Sequence, residues 1–204
     1  MPFTLFIGGA RSGKSSLAVA RARAWSNPAR ISVERPGSEV GECRTERRGV
    51  AFVVTGVAGD TEMEERIGRH QLERDPDWLT VESPRDLLGG VNRAISHGSD
   101  TMVVLDCLSF WVANRLMDDG NDRGCWPFIE ERLAGELVEV TRVLALHPTT
   151  SVVVTNEVGS GLVPGSPLGR QFRDTLGRMN AIVSLSADDA YLVVAGRVLA
   201  LDKP

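Results

Sequence analysis

Gly8-Gly9-Ala10-Arg11-Ser12-Gly13-Lys14-Ser15 has the spacing G-x-x-x-x-G-K-S. It follows the apolar run Phe3–Ile7 and opens a helical stretch from Ser15 to about Trp25. Glycines at these positions let consecutive amides turn inward around phosphate oxygens, while the following helix aims the positive end of its dipole at them. In such a loop the lysine bridges terminal phosphates and the next hydroxyl ligates magnesium, tasks that fall here to Lys14 and Ser15. Nucleotide binding and Mg2+-assisted phosphoryl transfer are the expected chemistry.

A carboxylate partner for the metal should end an adjacent buried strand, and Met102-Val103-Val104-Leu105-Asp106 supplies one. Asp106 equally suits a cap for the next helix, Leu108–Met117, so both readings stand at this point. A second helix is expected from Asp60, a cap residue, to His70, with Met63, Ile67 and His70 on one face. A histidine ending an apolar stripe is more often packed than nucleophilic, and spacing alone does not decide.

The elements that must position these residues alternate. Apolar runs at Phe3–Ile7, Val50–Thr55, Met102–Leu105, Ser151–Thr155, Ala190–Ala195 and Arg197–Leu201 read as strands, with helical spacing between them, as in Phe128, Leu133, Leu137, Val140 and Leu144. That order implies a mainly parallel sheet covered on both sides. The last two strands, separated by Gly196, imply an antiparallel hairpin at one edge. Asn156-Glu157-Val158-Gly159 falls at the carboxyl edge, where open α/β sheets bind ligands, or is a turn leaving the sheet. Arg170, Arg173 and Asp174 share a helical side, either as an ion-pair face or facing a substrate.

At 204 residues the chain suits a single nucleotide-binding domain, 1–204. Residues 27–49 read as a surface insertion, with two prolines, three glycines and no period. With 42% hydrophobic and 25% charged residues, disorder and fibrous structure are excluded. A net charge of −4 offers no basic field for nucleic acid. Cys43, Cys107 and Cys125 lack metal-type or disulfide-framework spacing. No apolar run approaches the ~20 residues of a membrane span, and no signal peptide is read before Gly8, so a cytoplasmic location is expected.

Further blocks carry a resemblance. They are Thr55 with Asp60-Thr61-Glu62-Met63; Arg66-Ile67-x-x-His70 with Trp78-x-Thr80-x-Glu82; Leu105-Asp106-Cys107-Leu108-Ser109-x-Trp111-x-x-Asn114; and Thr155-Asn156-Glu157-Val158-Gly159-x-Gly161-Leu162-Val163-Pro164. The last runs on to Arg170-x-Phe172-Arg173-Asp174-x-x-Gly177-x-x-Asn180. With Gly8–Ser15 they span nearly the whole chain, which resembles the bifunctional adenosylcobinamide kinase/adenosylcobinamide-phosphate guanylyltransferase family of cobalamin biosynthesis.

The resemblance implies an α/β fold of the P-loop NTPase, RecA-like kind: three layers, α/β/α, with a mostly parallel sheet and the antiparallel edge hairpin. It implies ATP and GTP as substrates with Mg2+, and adenosylcobinamide and its phosphate as acceptors. A histidine in the helix after the second strand would carry the guanylyl group, and His70 is the histidine of that segment. Some members have two adjacent histidines there, whereas this chain has Arg69-His70. By the same resemblance Val54, Thr55, Gly56, Gln71, Leu72, Glu73, Arg74, Glu82 and Asp106 line the guanine nucleotide, and a homotrimer is implied. Arg74 also reads as a solvated charge at a helix end. His97 and His147, outside every block, are expected at the surface. Members usually link the first helix to the second strand briefly, so 27–49 is a departure. The competing readings are a single-activity kinase on the same scaffold and a nucleotide-dependent regulatory switch.

Overall fold

The computed structural model describes residues 2–27, 48–59, 61–119 and 125–203, apart from the side chains of Arg66 and Asp119. In chain order the elements are β1 (Phe3–Gly8), α1 (Lys14–Ser26), β2 (Gly49–Val54), α2 (Thr61–Leu72), β3 (Leu79–Glu82), α3 (Leu87–Ile95), β4 (Thr101–Asp106), α4 (Leu108–Asp119), α5 (Trp126–Leu146), β5 (Ser151–Asn156), α6 (Pro167–Ser186), β6 (Asp189–Val194) and β7 (Arg197–Leu201). The expected insertion lies outside the described residues at 28–47, as do the expected helix cap Asp60 and Cys43, while Gly49 is already the first residue of β2.

One seven-stranded sheet runs β3-β2-β4-β5-β1-β6-β7. Every neighbouring pair is parallel except β6 with β7. The mostly parallel sheet with an antiparallel edge hairpin is therefore found. The hairpin turns through Ala195 at φ 51° and Gly196 at φ 74°, the left-handed pair whose twist matches a two-residue loop. Alternating side chains divide the sheet's burial between two cores. Val53, Leu105 and Val153 pack with Leu87, Trp111, Leu137 and Leu176 of α3 to α6. Phe52, Val104 and Val152 pack against Ala18 and Ala22 of α1.

Two elements were not anticipated. β3 alternates over only four residues, with Thr80 and Glu82 exposed, so no continuous apolar run marks it. α3 contains Gly89 and Gly90, poor helix formers, and is started instead by Asp86, whose Oδ1 accepts from the Gly89 amide at 2.9 Å.

Two other expectations are corrected. Phe128 is exposed and lies off the buried face of α5, which begins with Ile129. His147 is buried, not superficial: Nε2 donates to the Thr101 carbonyl at 2.7 Å, where the Thr149 hydroxyl also donates. The pair closes the amino end of β4 by satisfying its first carbonyl. His97 is exposed, as expected.

The edge hairpin also supports the loop that follows β1. Gly196 N donates to the Ser12 carbonyl at 2.9 Å. At Gly8 the β6 backbone comes so close that an added Cβ would collide with the Val193 carbonyl oxygen. Gly8→Ala is accordingly expected to cost about 1–3 kcal/mol through backbone displacement. A fall in the urea midpoint checks this, and an unchanged midpoint contradicts the close approach.

Candidate active site

The loop after β1 takes up left-handed backbone at Arg11 (φ 57°) and at Gly13 (φ 101°), the residue that opens α1. Its amides are thereby turned toward one concave side. Lys14 is buried over the loop, with Nζ donating to the Gly9 carbonyl at 2.6 Å and to Ser12 Oγ at 3.3 Å. Ser15 Oγ donates to Asp106 Oδ1 at 3.2 Å, across β5 from the loop's own strand. Asp106, open in the sequence between metal ligand and helix cap, thus faces the loop hydroxyl.

The other oxygen, Asp106 Oδ2, lies 3.6 Å from the Arg74 guanidinium. Arg74 is no solvated helix-end charge, for only 9% of its side chain is exposed. Its guanidinium sits 4.5 Å from the centre of the Phe52 ring, and Phe52 in turn stacks on Trp78 at 5.7 Å with planes 13° apart. Burial pushes the guanidinium below its ordinary value, while Asp106 and Glu73 pull it back up. Arg74 Nε is buried with no partner among the described residues.

These groups line a cavity of about 630 Å³ at the carboxyl edge of the sheet, a volume within the range of small-ligand sites. Its walls bring together Arg11, Ser12, Gly13, Lys14 and Ser15 with Val54, Gly56, His70, Gln71, Glu73, Arg74, Glu82 and Asp106. His70 is one-third exposed, and its Nδ1 stands 4.0 Å from Glu73 Oε2, one helical turn on. Five of the expected site residues do not line the cavity. Gly8, Gly9 and Ala10 fall behind the lining stretch of the loop. Leu72 is 87% exposed and turns away. Thr55 is fully buried; its Oγ1 donates to the Cys107 carbonyl at 2.5 Å and accepts from the Cys107 amide at 3.2 Å.

The α4 block proves to be a set of ties. Asn114 Nδ2 donates to the carbonyls of Thr55 at 2.8 Å and Pro84 at 3.0 Å, and buried Trp111 donates through Nε1 to the Arg85 carbonyl at 3.0 Å. Helix α4 thereby holds the two loops that leave β2 and β3. Arg170 braces another loop, donating to the carbonyls of Pro164 at 3.0 Å and Gly165 at 2.8 Å. Arg173 pairs with Asp174 at 3.0 Å, the ion-pair alternative. Asn156, Met63, Phe110 and Arg85 also line the cavity and were not among the expected site residues. Met63 and Asn156 stood in the matching blocks; Met63 was also expected on the His70 face of its helix, and Asn156 at the carboxyl edge of the sheet.

The family profile described as cobinamide kinase / cobinamide phosphate guanyltransferase matches residues 37–201. The bifunctional adenosylcobalamin biosynthesis protein CobU of Escherichia coli (strain K12) is 33% identical over 196 residues, 94% of this chain and 95% of that protein. The corresponding CobP of Pseudomonas aeruginosa is 31% identical over 94% of this chain and 92% of its own. CobU of Salmonella typhimurium is 32% identical over 94% and 95%.

The chain belongs to the cobinamide kinase / cobinamide phosphate guanyltransferase family.

It is thus an enzyme of kinase and nucleotidyltransferase type in cobalamin biosynthesis. Among solved structures, an ATPase from the type III secretion system of pathogenic bacteria is similar with a TM-score of 0.50 at 12% identity. The match covers 98% of this chain and 56% of that one, and carries the P-loop NTPase fold alone. Among the described residues no helix is long and apolar enough to cross a membrane.

In this kinase/guanyltransferase Cys107 sits beside the expected metal carboxylate, yet its chemistry is suppressed. Burial and the neighbouring Asp106 push its thiol up to about 11. A raised thiol value means that the unfolded chain, at 9.0, loses its proton first, so stability falls as pH climbs from 9.0 to about 11. Iodoacetamide at pH 8 is expected to label exposed Cys125 in the native protein and to spare Cys107, read by peptide mass spectrometry. Equal labelling of both contradicts the buried site.

Proposed function

We propose that this chain phosphorylates adenosylcobinamide with ATP or GTP. It then transfers GMP from GTP, through guanylylated His70, to adenosylcobinamide phosphate, giving adenosylcobinamide-GDP and pyrophosphate. The observation that carries this reading is that His70 and the phosphate loop line one cavity. Family membership supplies the two reaction types.

A neutral imidazole is nucleophilic at cellular pH. One ring nitrogen of His70 forms a bond to the α-phosphorus of GTP as the bond to the α–β bridging oxygen breaks, and pyrophosphate leaves with the electron pair. A phosphate oxygen of the corrinoid then displaces the histidine, returning the imidazole. Splitting the transfer lets both displacements use one nucleotide position. The kinase step needs chiefly alignment and charge neutralisation of the terminal phosphoryl group. Lys14, released from the Gly9 carbonyl, is placed for those phosphates.

Ser15 Oγ and Asp106 Oδ1 are hard oxygen donors facing each other, which fits Mg2+ held mainly by phosphates and water. When bound, the ion neutralises charge on the phosphate oxygens. Arg74 adds a second positive charge from the other side of Asp106.

A single domain in the cytoplasm and assembly as a homotrimer belong to the same reading. Val198, Leu199 and Leu201 on edge strand β7 leave apolar surface for a subunit contact. Sedimentation velocity at the mass of three chains supports the trimer, and a monomer removes it.

Incubation with GTP labelled at the α-phosphate is expected to give protein-bound label that is acid-labile and base-stable, lost in His70→Ala. Label that persists in that variant, or none in the parent enzyme, contradicts the guanylyl-histidine.

A further inference from the structure

The block Thr155–Pro164, which holds Asn156, has no part in the scheme above. Strand β5, which ends on Asn156, lies between β1, which leads into the phosphate loop, and β4, which ends on Asp106. In the parallel register Asn156 pairs with Gly8, whereas Asp106 pairs with Val154. Asn156 therefore stands two residues farther out than Asp106, about 7 Å along the strand, level with the start of the phosphate loop. It lines the cavity together with Lys14 and Asp106.

Buried polar groups fix its orientation. Asn156 Nδ2 donates to Ser109 Oγ at 3.0 Å. Asn180 Nδ2 donates to the Asn156 carbonyl at 2.9 Å, and Asn180 Oδ1 accepts from Thr155 Oγ1 at 2.7 Å. Ser109, Thr155 and Asn180 are all buried. The next amide, Glu157 N, donates to the Gly8 carbonyl at 3.0 Å and ties the strand end to the loop's own strand. An asparagine amide has two N–H donors and one acceptor. Ser109 takes one donor, which leaves an N–H and Oδ1 without partners among the described residues. A partly buried amide held by a buried network at a phosphate site is a preorganised donor.

We propose that Asn156 is a catalytic residue of the kinase step, donating its remaining N–H to an oxygen of the γ-phosphoryl group in transit. In that step the acceptor hydroxyl oxygen forms a bond to the γ-phosphorus as the bond to the β–γ bridging oxygen breaks. The electron pair stays on the nucleoside diphosphate, and the hydroxyl proton leaves to solvent. The amide moves no proton; its hydrogen bond strengthens as charge redistributes over the phosphoryl oxygens. His70 stands on α2, which follows β2, and β4 separates β2 from β5. Asn156 ends the strand next to the phosphate loop's own strand, on the side of Lys14, and is therefore assigned to the terminal phosphate rather than to the α-phosphate that His70 attacks.

This inference rests on the two-activity reading. The test measures, on the same preparation of full-length Asn156→Ala, corrinoid phosphorylation by GTP and labelling of His70 by α-labelled GTP. Kinase kcat is expected to fall about 100-fold, as for loss of one transition-state donor. KM for GTP and the labelling rate are expected to stay within about threefold, which also reports an intact fold and nucleotide site. Ser109→Ala, which keeps the amide but removes its anchor, should lose less kcat than Asn156→Ala. Equal loss in both reactions, a change in KM alone, or unchanged kinase turnover overturns the assignment. A parent enzyme that phosphorylates the corrinoid but takes no label overturns the two-activity reading, and the split between kcat and KM then still decides Asn156.

Discussion

The cleft depends on how one carboxylate is shared. Asp106 gives Oδ1 to Ser15 and Oδ2 to Arg74, and so joins the phosphate loop to the segment that follows the His70 helix. A buried guanidinium is tolerated only beside an opposite charge or an aromatic face, and Arg74 has both. The sheet order β2-β4-β5-β1 makes the arrangement possible, because it sets Asp106 two strands from the loop and one from the strand that leads to α2. A different order would separate the three groups while leaving each motif intact.

The loops around this centre are held by side chains rather than by length. Asn114 and Trp111 on α4 reach the backbone leaving β2 and β3, and Thr55 clamps the junction of β4 and α4. On the far side, the β6–β7 turn meets Ser12. The phosphate loop is thus fixed by its own strand, by the edge hairpin and by Asp106. Preorganisation of this kind is what phosphoryl and nucleotidyl transfer need, since neither reaction asks the protein for difficult covalent chemistry of its own.

Much of this was legible in the chain. Phe3–Ile7, Ser151–Thr155 and Arg197–Leu201 announce strands because they are apolar runs bounded by turn residues, and the loop before Lys14 announces itself because its glycines serve the backbone directly. What was hidden depends on partners far away in sequence. Arg74 looks like a solvated charge until Phe52 and Trp78 are stacked beneath it. His147 looks superficial until the carbonyl of Thr101 meets it. Leu72 belonged to a run of expected nucleotide contacts, but a helix presents one face only, and Leu72 is on the other. β3 was missed because only Val81 of its four residues is buried.

The central claim is that one cleft, organised by Asp106, performs both transfers. Its most direct test is to measure the kinase and guanylyl-transfer rates of Asp106→Ala. The claim predicts that both fall together, by about 100-fold or more, as expected when a shared charge-stabilising group is removed. Loss of one activity with the other intact would mean that the two reactions do not share this centre.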